Sequence, residues 1–87
     1  MPEPTMEAVG TVSGFFAKPL VAVVTLTGTL KVGESIYLKG HTTDFRQQVA
    51  SMQVDHVSVS EAHAGQSIGL KVNERCRPHD IVYKLVG

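Results

Sequence analysis

The sequence predicts an all-β fold, a small closed antiparallel barrel of six strands with Greek-key connections. Glycines at short intervals between residues 10 and 69 divide the chain into brief segments. Those segments are rich in Val, Ile, Thr, Phe and Tyr, the side chains that suit a pleated surface. No window of eleven or more residues shows an apolar stripe at the 3.6-residue period, so we expect almost no helix. Closure is favoured because it leaves few open edges in so small a sheet.

A chain of 87 residues predicts one domain, because two cores of half that size would bury too little apolar surface to be stable. The first six residues contain two prolines and show no periodicity. We therefore expect residues 1–6 to form a flexible lead-in and residues 7–87 to form a single barrel domain.

Six segments have the composition of strands. They are residues 8–16, 21–27, 35–39, 45–56, 67–72 and 80–85. Gly10 and Gly14 predict a bend or a close backbone approach within the first strand, and Gly33 predicts a positive φ before the third. In the fourth strand the apolar positions change phase, which predicts a bulge near Ala50 and Ser51. Residues 57–64 are expected to be a connection.

The charge balance excludes some classes of function. Eight Lys and Arg are matched by eight Asp and Glu, so no long-range field would draw the protein to nucleic acid or to an anionic membrane. No apolar stretch predicts a signal peptide or a membrane span, and the default location is the cytoplasm. We expect no membrane partner.

The single cysteine, Cys76, is expected to be an inert, partly buried side chain, although Arg75 and Arg77 beside it could lower its pKa. With His79 it supplies only half of a zinc site. The chain shows no Ser-His-Asp order, no paired carboxylates and no nucleophile turn. The sequence thus predicts no enzyme, no metal and no cofactor.

Two small cationic groups are candidate binding residues. They are Lys39, His41 and Arg46 around one loop, and Arg75, Arg77 and His79 around another. Solvated turn residues are the ordinary explanation. If both loops emerge at one end of the barrel, however, they could hold a phosphodiester backbone through guanidinium contacts.

Phe15 and Phe16 are adjacent, so in a strand one side chain faces the core and the other faces outward. Core packing explains the first, and a packed edge would explain the second. The alternative is an exposed platform for stacking a base or docking a partner, beside a turn fixed by Lys18 and Pro19.

Three motifs resemble domain two of elongation factor Tu and its relatives. Residues 28–36 are similar to that domain's G-x-[IL]-K-x-G-[DE]-x-[IV] signature. Residues 52–53 and 64–70 resemble its V-E-M … A-G-[DE]-x-V-G-[LV] segment, and residues 79–82 resemble its closing R-G-[QD]-V. The resemblance implies a stand-alone relative of this translation-factor barrel. The chain has no G-x-x-x-x-G-K-[ST] loop, which excludes GTP binding.

The resemblance implies further site residues. Gln53 stands where the family has a Glu that contacts the terminal ribose of aminoacyl-tRNA, and Lys71 stands where it has an apolar residue of the adenine pocket. These departures, with residues 16–19 in place of a glycine-rich turn, argue against capture of aminoacyl-tRNA.

The function expected from the sequence is that of a non-catalytic cytoplasmic binding module that docks RNA, the ribosome or a partner in translation or RNA processing. One alternative is an accessory protein-binding subunit of a larger enzyme, of the RNA-modifying or collagenase-like peptidase type. Another is a self-associating structural protein.

Overall fold

The computed structural model describes residues 5–18 and 20–86, and within them the chain forms ten β-strands and no helix. The strands are β1 (Thr5–Phe16), β2 (Val21–Leu26), β3 (Leu30–Lys31), β4 (Ser35–Lys39), β5 (Asp44–Gln48), β6 (Met52–Val54), β7 (Val57–Val59), β8 (Glu61–Ala62), β9 (Ser67–Lys71) and β10 (Ile81–Val86). Every pairing between them is antiparallel. The all-β class is confirmed.

Strand β1 is the longest, and it pairs with β10 on one side and β2 on the other. It begins at Thr5, opposite Val86, inside the predicted lead-in, whose residues 1–4 lie outside the described chain. The register shifts between Ala8 and Gly10 against β10, and between Val12 and Gly14 against β2. The predicted irregularities at both glycines are therefore confirmed.

Gly10 is required by close packing. A Cβ atom at this position would lie 2.6 Å from Cγ1 of Val24 and 3.1 Å from the carbonyl oxygen of Thr25. The neighbouring strand thus occupies the space that any larger residue would need. Gly33 has φ of 95°, as predicted, in the turn that leads into β4.

Eight strands form one sheet in the order β5-β4-β10-β1-β2-β9-β6-β7, and β3 and β8 form a separate two-stranded ribbon. The predicted count of six strands is wrong, because short strands form where a connection was expected. Residues 57–59 pair with β6 and residues 61–62 pair with β3. Asp55 and His56, both at positive φ, make the two-residue turn between β6 and β7.

The predicted fourth strand is divided into β5 and β6, which lie at opposite sides of the sheet. The break at residues 49–51 coincides with the predicted change of phase. Among the described residues, β5 and β7 are sheet edges, and no backbone pairing joins the sheet into a cylinder. The closed barrel therefore stays a prediction.

The core lies on the inner face of this curved sheet and consists of aliphatic side chains with little exposure. Its largest fully buried members are Leu26, Leu30, Ile36, Leu38, Met52, Ile68 and Leu70. They come from five different strands, so the burial of apolar area holds the strands together as one unit. No helix of the described chain could cross a membrane.

Candidate binding surfaces

The loop before β5 and the loop before β10 meet at one end of the molecule, which we call the cationic end. Lys39 is paired with Ile81 across β4 and β10. A Cβ atom at Gly40 would collide with the carboxylate of Asp80, which shows how closely the two loops pack. That carboxylate is buried and accepts a hydrogen bond of 2.8 Å from the backbone N–H of Arg77.

The loop of residues 73–80 is also tied to β1 and to the turn before β2. Just before the loop, the backbone N–H of Val72 donates to the carbonyl oxygen of Leu20. Within the loop, the N–H of His79 donates to the carbonyl oxygen of Val12. The loop therefore crosses from β9 to β10 over the same end at which β1 turns into β2. Lys71, Arg75, Arg77 and Lys18 thus lie at the end that also carries Lys39 and His41.

Arg46 is the remaining member of the predicted cationic groups, and it lies on the outer face next to this end. Its guanidinium carbon is 5.3 Å from the ring centroid of Tyr37, and Nζ of Lys39 is 5.9 Å from the same centroid. The Tyr37 hydroxyl donates to Asp44 at 2.6 Å. This hydrogen bond, with desolvation, raises the pKa of Tyr37. The ring therefore holds two cations over its surface as a neutral phenol.

The opposite end of the molecule carries ion pairs instead. Lys31 lies 3.6 Å from Glu61, which also contacts His63 at 3.3 Å. Lys84 lies 3.8 Å from Glu34 and donates to the carbonyl oxygen of Thr29. Within the described chain, none of the cations of the cationic end takes part in a salt bridge.

A groove runs along the outer face of β1, β2, β9 and β6, and we call it the Phe16 groove. It has a volume of about 490 Å³. Phe15 packs against the core, whereas Phe16 is 60% exposed and forms one wall. Val21 and Gly69 contribute to the lining. Gln53 forms the wall across from Phe16, and it is paired with Gly69 between β6 and β9.

The rim of the groove is polar. It is lined by Lys18, Asp55 and His56. Asp55 and His56 form the tip of the β6–β7 turn, where both have positive φ. Lys71 is paired with Val21, which places it where the groove meets the cationic end. Gln53, Lys71 and Phe16 were singled out separately in the sequence, and the fold brings them to one surface.

A third surface was missed by the sequence analysis. It is an apolar stripe on the outer face of β1, β10 and β4, which we call the outer apolar face. Ile81, Tyr83 and Leu85 alternate with buried Val82 along β10, and Met6 is paired with Leu85. Met6 is 43% exposed. The alternation in residues 81–85 was the available signal.

The Tyr83 side chain extends the outer apolar face to β4, because its ring centroid lies 6.3 Å from that of Tyr37. Ala8 is paired with Tyr83 and is exposed. The face thus spans three neighbouring strands with aromatic and aliphatic side chains. Its cationic border is formed by Lys39 and Arg46.

Cys76 belongs to the loop of residues 73–80, and it is buried, with 2% of its surface exposed. Burial, together with the charges of Asp80 and Glu74, raises its pKa to about 11. A thiol of this kind is almost wholly protonated near neutral pH, which makes it a poor nucleophile. Among the described residues, no group of three His, Cys, Asp or Glu side chains could hold a metal ion.

Comparison with known proteins gives a different kinship from the one inferred in the sequence. No family model matches the chain. Over 78 residues it is 38% identical to an uncharacterized protease of Methanocaldococcus jannaschii, a match that takes in 88% of this chain and 19% of that protein. The chain thus spans about a fifth of the length of the curated relative it matches.

The C-terminal domain of a candidate U32 peptidase from Geobacillus thermoleovorans is similar in structure. Its crystal structure aligns with a TM-score of 0.84 at 21% identity, over 90% of this chain and 91% of that one. The selenomethionine variant aligns at 0.83 and 20% identity, over 87% and 96%. These likenesses show the fold.

The inferred kinship with domain two of elongation factor Tu is therefore wrong, because the sequence relative and the solved structures both point to peptidase-type proteins. The residues that match in the three motifs are mostly turn glycines and apolar Ile, Leu and Val. Any small β-domain with the same turns needs those residues, so the motifs report turn geometry and not descent.

Proposed function

We propose that this chain is a non-catalytic accessory domain of a larger, peptidase-type protein. The observation that carries the proposal is its likeness, over nearly its whole length, to a C-terminal domain and to one fifth of a longer relative. A domain of this size needs most of its apolar side chains to stabilise its own core, so it is better suited to binding through its surface than to enclosing an active site.

The side-chain chemistry supports a binding role. The one thiol, at Cys76, is buried with a pKa raised to about 11. The carboxylate of Asp80 is buried and engaged by a backbone N–H. Neither group is poised to attack or to transfer a proton to a substrate.

The outer apolar face is the surface we assign to contact with the rest of the larger protein. Apolar side chains that face water add nothing to stability through burial. Covering them with another surface lowers the free energy by about 25 cal/mol per Å² of apolar area removed from water. Met6 and Tyr83 lie on this face. In a protein several times as long as this domain, as the relative is, the rest of the chain can supply the surface that covers it.

We further propose that the domain is a barrel whose closure depends on residues 44–54. This segment pairs with β4 at its start and with β9 at its end, so the chain itself spans the gap between the two sides of the sheet. The side chain of Gln47 joins them: its amide donates to the carbonyl oxygen of Lys71 at 2.9 Å and accepts from the N–H of Asn73 at 2.7 Å.

Hydroxyl-radical footprinting tests the accessory role. This chain would be compared alone and in a chimera, in which it replaces the matching segment of the full-length Methanocaldococcus jannaschii relative. We expect Met6 and Tyr83 to be oxidised in the isolated chain and several-fold less in the chimera. Phe16, on another face and 60% exposed, is the internal control and should react equally in both.

Equal oxidation of Met6 and Tyr83 in the two contexts would show that the outer apolar face stays uncovered, and the docking proposal would fail. Sedimentation velocity on the isolated chain supplies a second check. A stable dimer in which the same residues are protected would favour the alternative of a self-associating protein.

A further inference from the structure

We propose that the cationic end and the Phe16 groove together bind single-stranded nucleic acid. This inference goes beyond the accessory role, because it concerns a different surface and does not depend on attachment to an enzyme. It rests on the separation of charge by the fold, on an exposed aromatic ring, and on the groove beside that ring.

The fold separates charges that balance in the sequence. Six Lys and Arg lie at or next to the cationic end, against three carboxylates: the cations are Lys18, Lys39, Arg46, Lys71, Arg75 and Arg77, and the carboxylates are Asp44, Glu74 and Asp80. The opposite end carries Lys31 and Lys84 against three described acidic residues, Glu7, Glu34 and Glu61, and Asp55 lies on the rim of the Phe16 groove. A neutral chain thus presents a positive end, which attracts a polyanion locally.

The cations of this end are available to a ligand. The salt bridges of the described residues lie at the opposite end, where Glu61 and Glu34 are the acceptors. The buried carboxylate of the loop, that of Asp80, accepts a hydrogen bond from a backbone N–H and forms no salt bridge with a guanidinium among the described residues. Lys39 and Arg46 are held over the ring of Tyr37, which orders them without neutralising their charge.

The groove supplies the second element of the site. Single-stranded nucleic acid is held by a positive track for the backbone and aromatic faces on which bases stack. Phe16 is 60% exposed at the end of β1, next to Lys18 and close to Lys71 in the strand register. The volume of about 490 Å³ lies in the usual range of small-ligand sites and would admit a base.

The lining of the groove suits a planar, hydrogen-bonding group. Gly69 has no side chain, and beside it Val21 offers an apolar surface. The amide of Gln53 can donate to and accept from a base edge or a ribose hydroxyl. A stretch of acidic side chains such as polyglutamate would use the cations but has no aromatic ring to stack on Phe16. A duplex keeps its bases stacked on one another, so it would use the cations alone.

Fluorescence anisotropy with a labelled 12-nucleotide RNA of mixed sequence tests the proposal on the purified 87-residue chain. We expect binding at 50 mM salt. If about four phosphates are contacted, the affinity should fall by about 50-fold between 50 and 200 mM salt. An RNA duplex of the same length and a polyglutamate peptide should compete at least tenfold less well.

Matched variants distinguish contacts of the cations with the phosphate backbone from stacking of a base on Phe16. Arg75→Glu and Lys31→Glu change the net charge equally, but at opposite ends. We expect about a tenfold loss for Arg75→Glu and less than twofold for Lys31→Glu. Phe16→Ala should weaken binding by about tenfold at every salt concentration with an unchanged salt slope, because it removes stacking and no charge. Val57→Ala, at a 62% exposed position, is its control.

Four results would overturn the proposal: no binding at 50 mM salt, equal losses for Arg75→Glu and Lys31→Glu, an unchanged affinity for Phe16→Ala, or equal competition by polyglutamate. Thermal melting of each variant shows whether a loss comes from unfolding. Because no enzyme is present in this assay, its failure leaves the footprinting result for the accessory role unaffected.

Discussion

The two ends of this small β-domain use charged residues in different ways. At the end with Lys31 and Glu61, cations and carboxylates contact each other and link neighbouring strands and turns. At the cationic end, the buried carboxylate of Asp80 binds a backbone N–H while the cations face solvent. The difference teaches that one end is ordered by backbone hydrogen bonds, and that its described cations form none of the ion pairs seen at the other end.

The largest effect should come from a glycine at the cationic end. Gly40→Ala places a methyl group where the Asp80 carboxylate lies, so the hydrogen bond to Arg77 must break. Leaving a buried charged group without that bond costs about 2–4 kcal/mol of unfolding free energy. Urea denaturation measures it.

The control lies at the other end. Gly33→Ala meets nothing within 4 Å, so only its positive φ is strained, at about 1–2 kcal/mol. If the clash with Asp80 is the cause, Gly40→Ala should cost less in an Asp80→Ala background. An equal cost in both backgrounds would contradict the packing account.

A smaller effect is expected where residues 44–54 span the two sides of the sheet. Gln47→Ala removes the side-chain hydrogen bonds to Lys71 and Asn73, together with a local one to Gln48, and should cost about 1–2 kcal/mol. Hydrogen exchange at the Asn73 amide should quicken with it. Gln48→Ala, at an exposed neighbouring position, is the control. If the two variants melt at the same temperature, the hydrogen bonds of Gln47 do not help to hold the two sides of the sheet together.

The smallest effect should arise at the opposite end. Glu61→Gln removes the contacts with Lys31 and His63, which are well exposed, so we expect at most about 0.5 kcal/mol. Thermal melting in low and in high salt checks this. A loss of more than about 1 kcal/mol of unfolding free energy would mean that these ion pairs stabilise this end more than exposed ion pairs usually do.

Local backbone features could be predicted from the sequence. The irregularities at Gly10 and Gly14 and the positive φ of Gly33 each follow from the residues at that position. The change of phase near residues 50–51 was recognised, but it was interpreted as a bulge, whereas it separates two strands. The all-β class follows from the absence of helical periodicity.

Features that depend on distant residues could not be predicted. The ribbon of β3 and β8 joins segments about thirty residues apart, and neither segment has a distinctive pattern. Arg75, Lys39 and Lys18 are brought to one end only by the strand order, which the sequence does not give directly. The net charge of zero does not reveal this separation of charge. The kinship was wrong because turn residues are shared by unrelated β-domains.

The pairing of Thr5 with Val86 has a practical consequence for engineering. Facing residues of antiparallel strands have Cα atoms only about 5 Å apart, so the chain enters and leaves the described fold at neighbouring points. A unit with this geometry can be grafted into an exposed loop of a host protein with little separation of the loop's ends. Its new position would leave the grooved side and the positive end turned away from the graft.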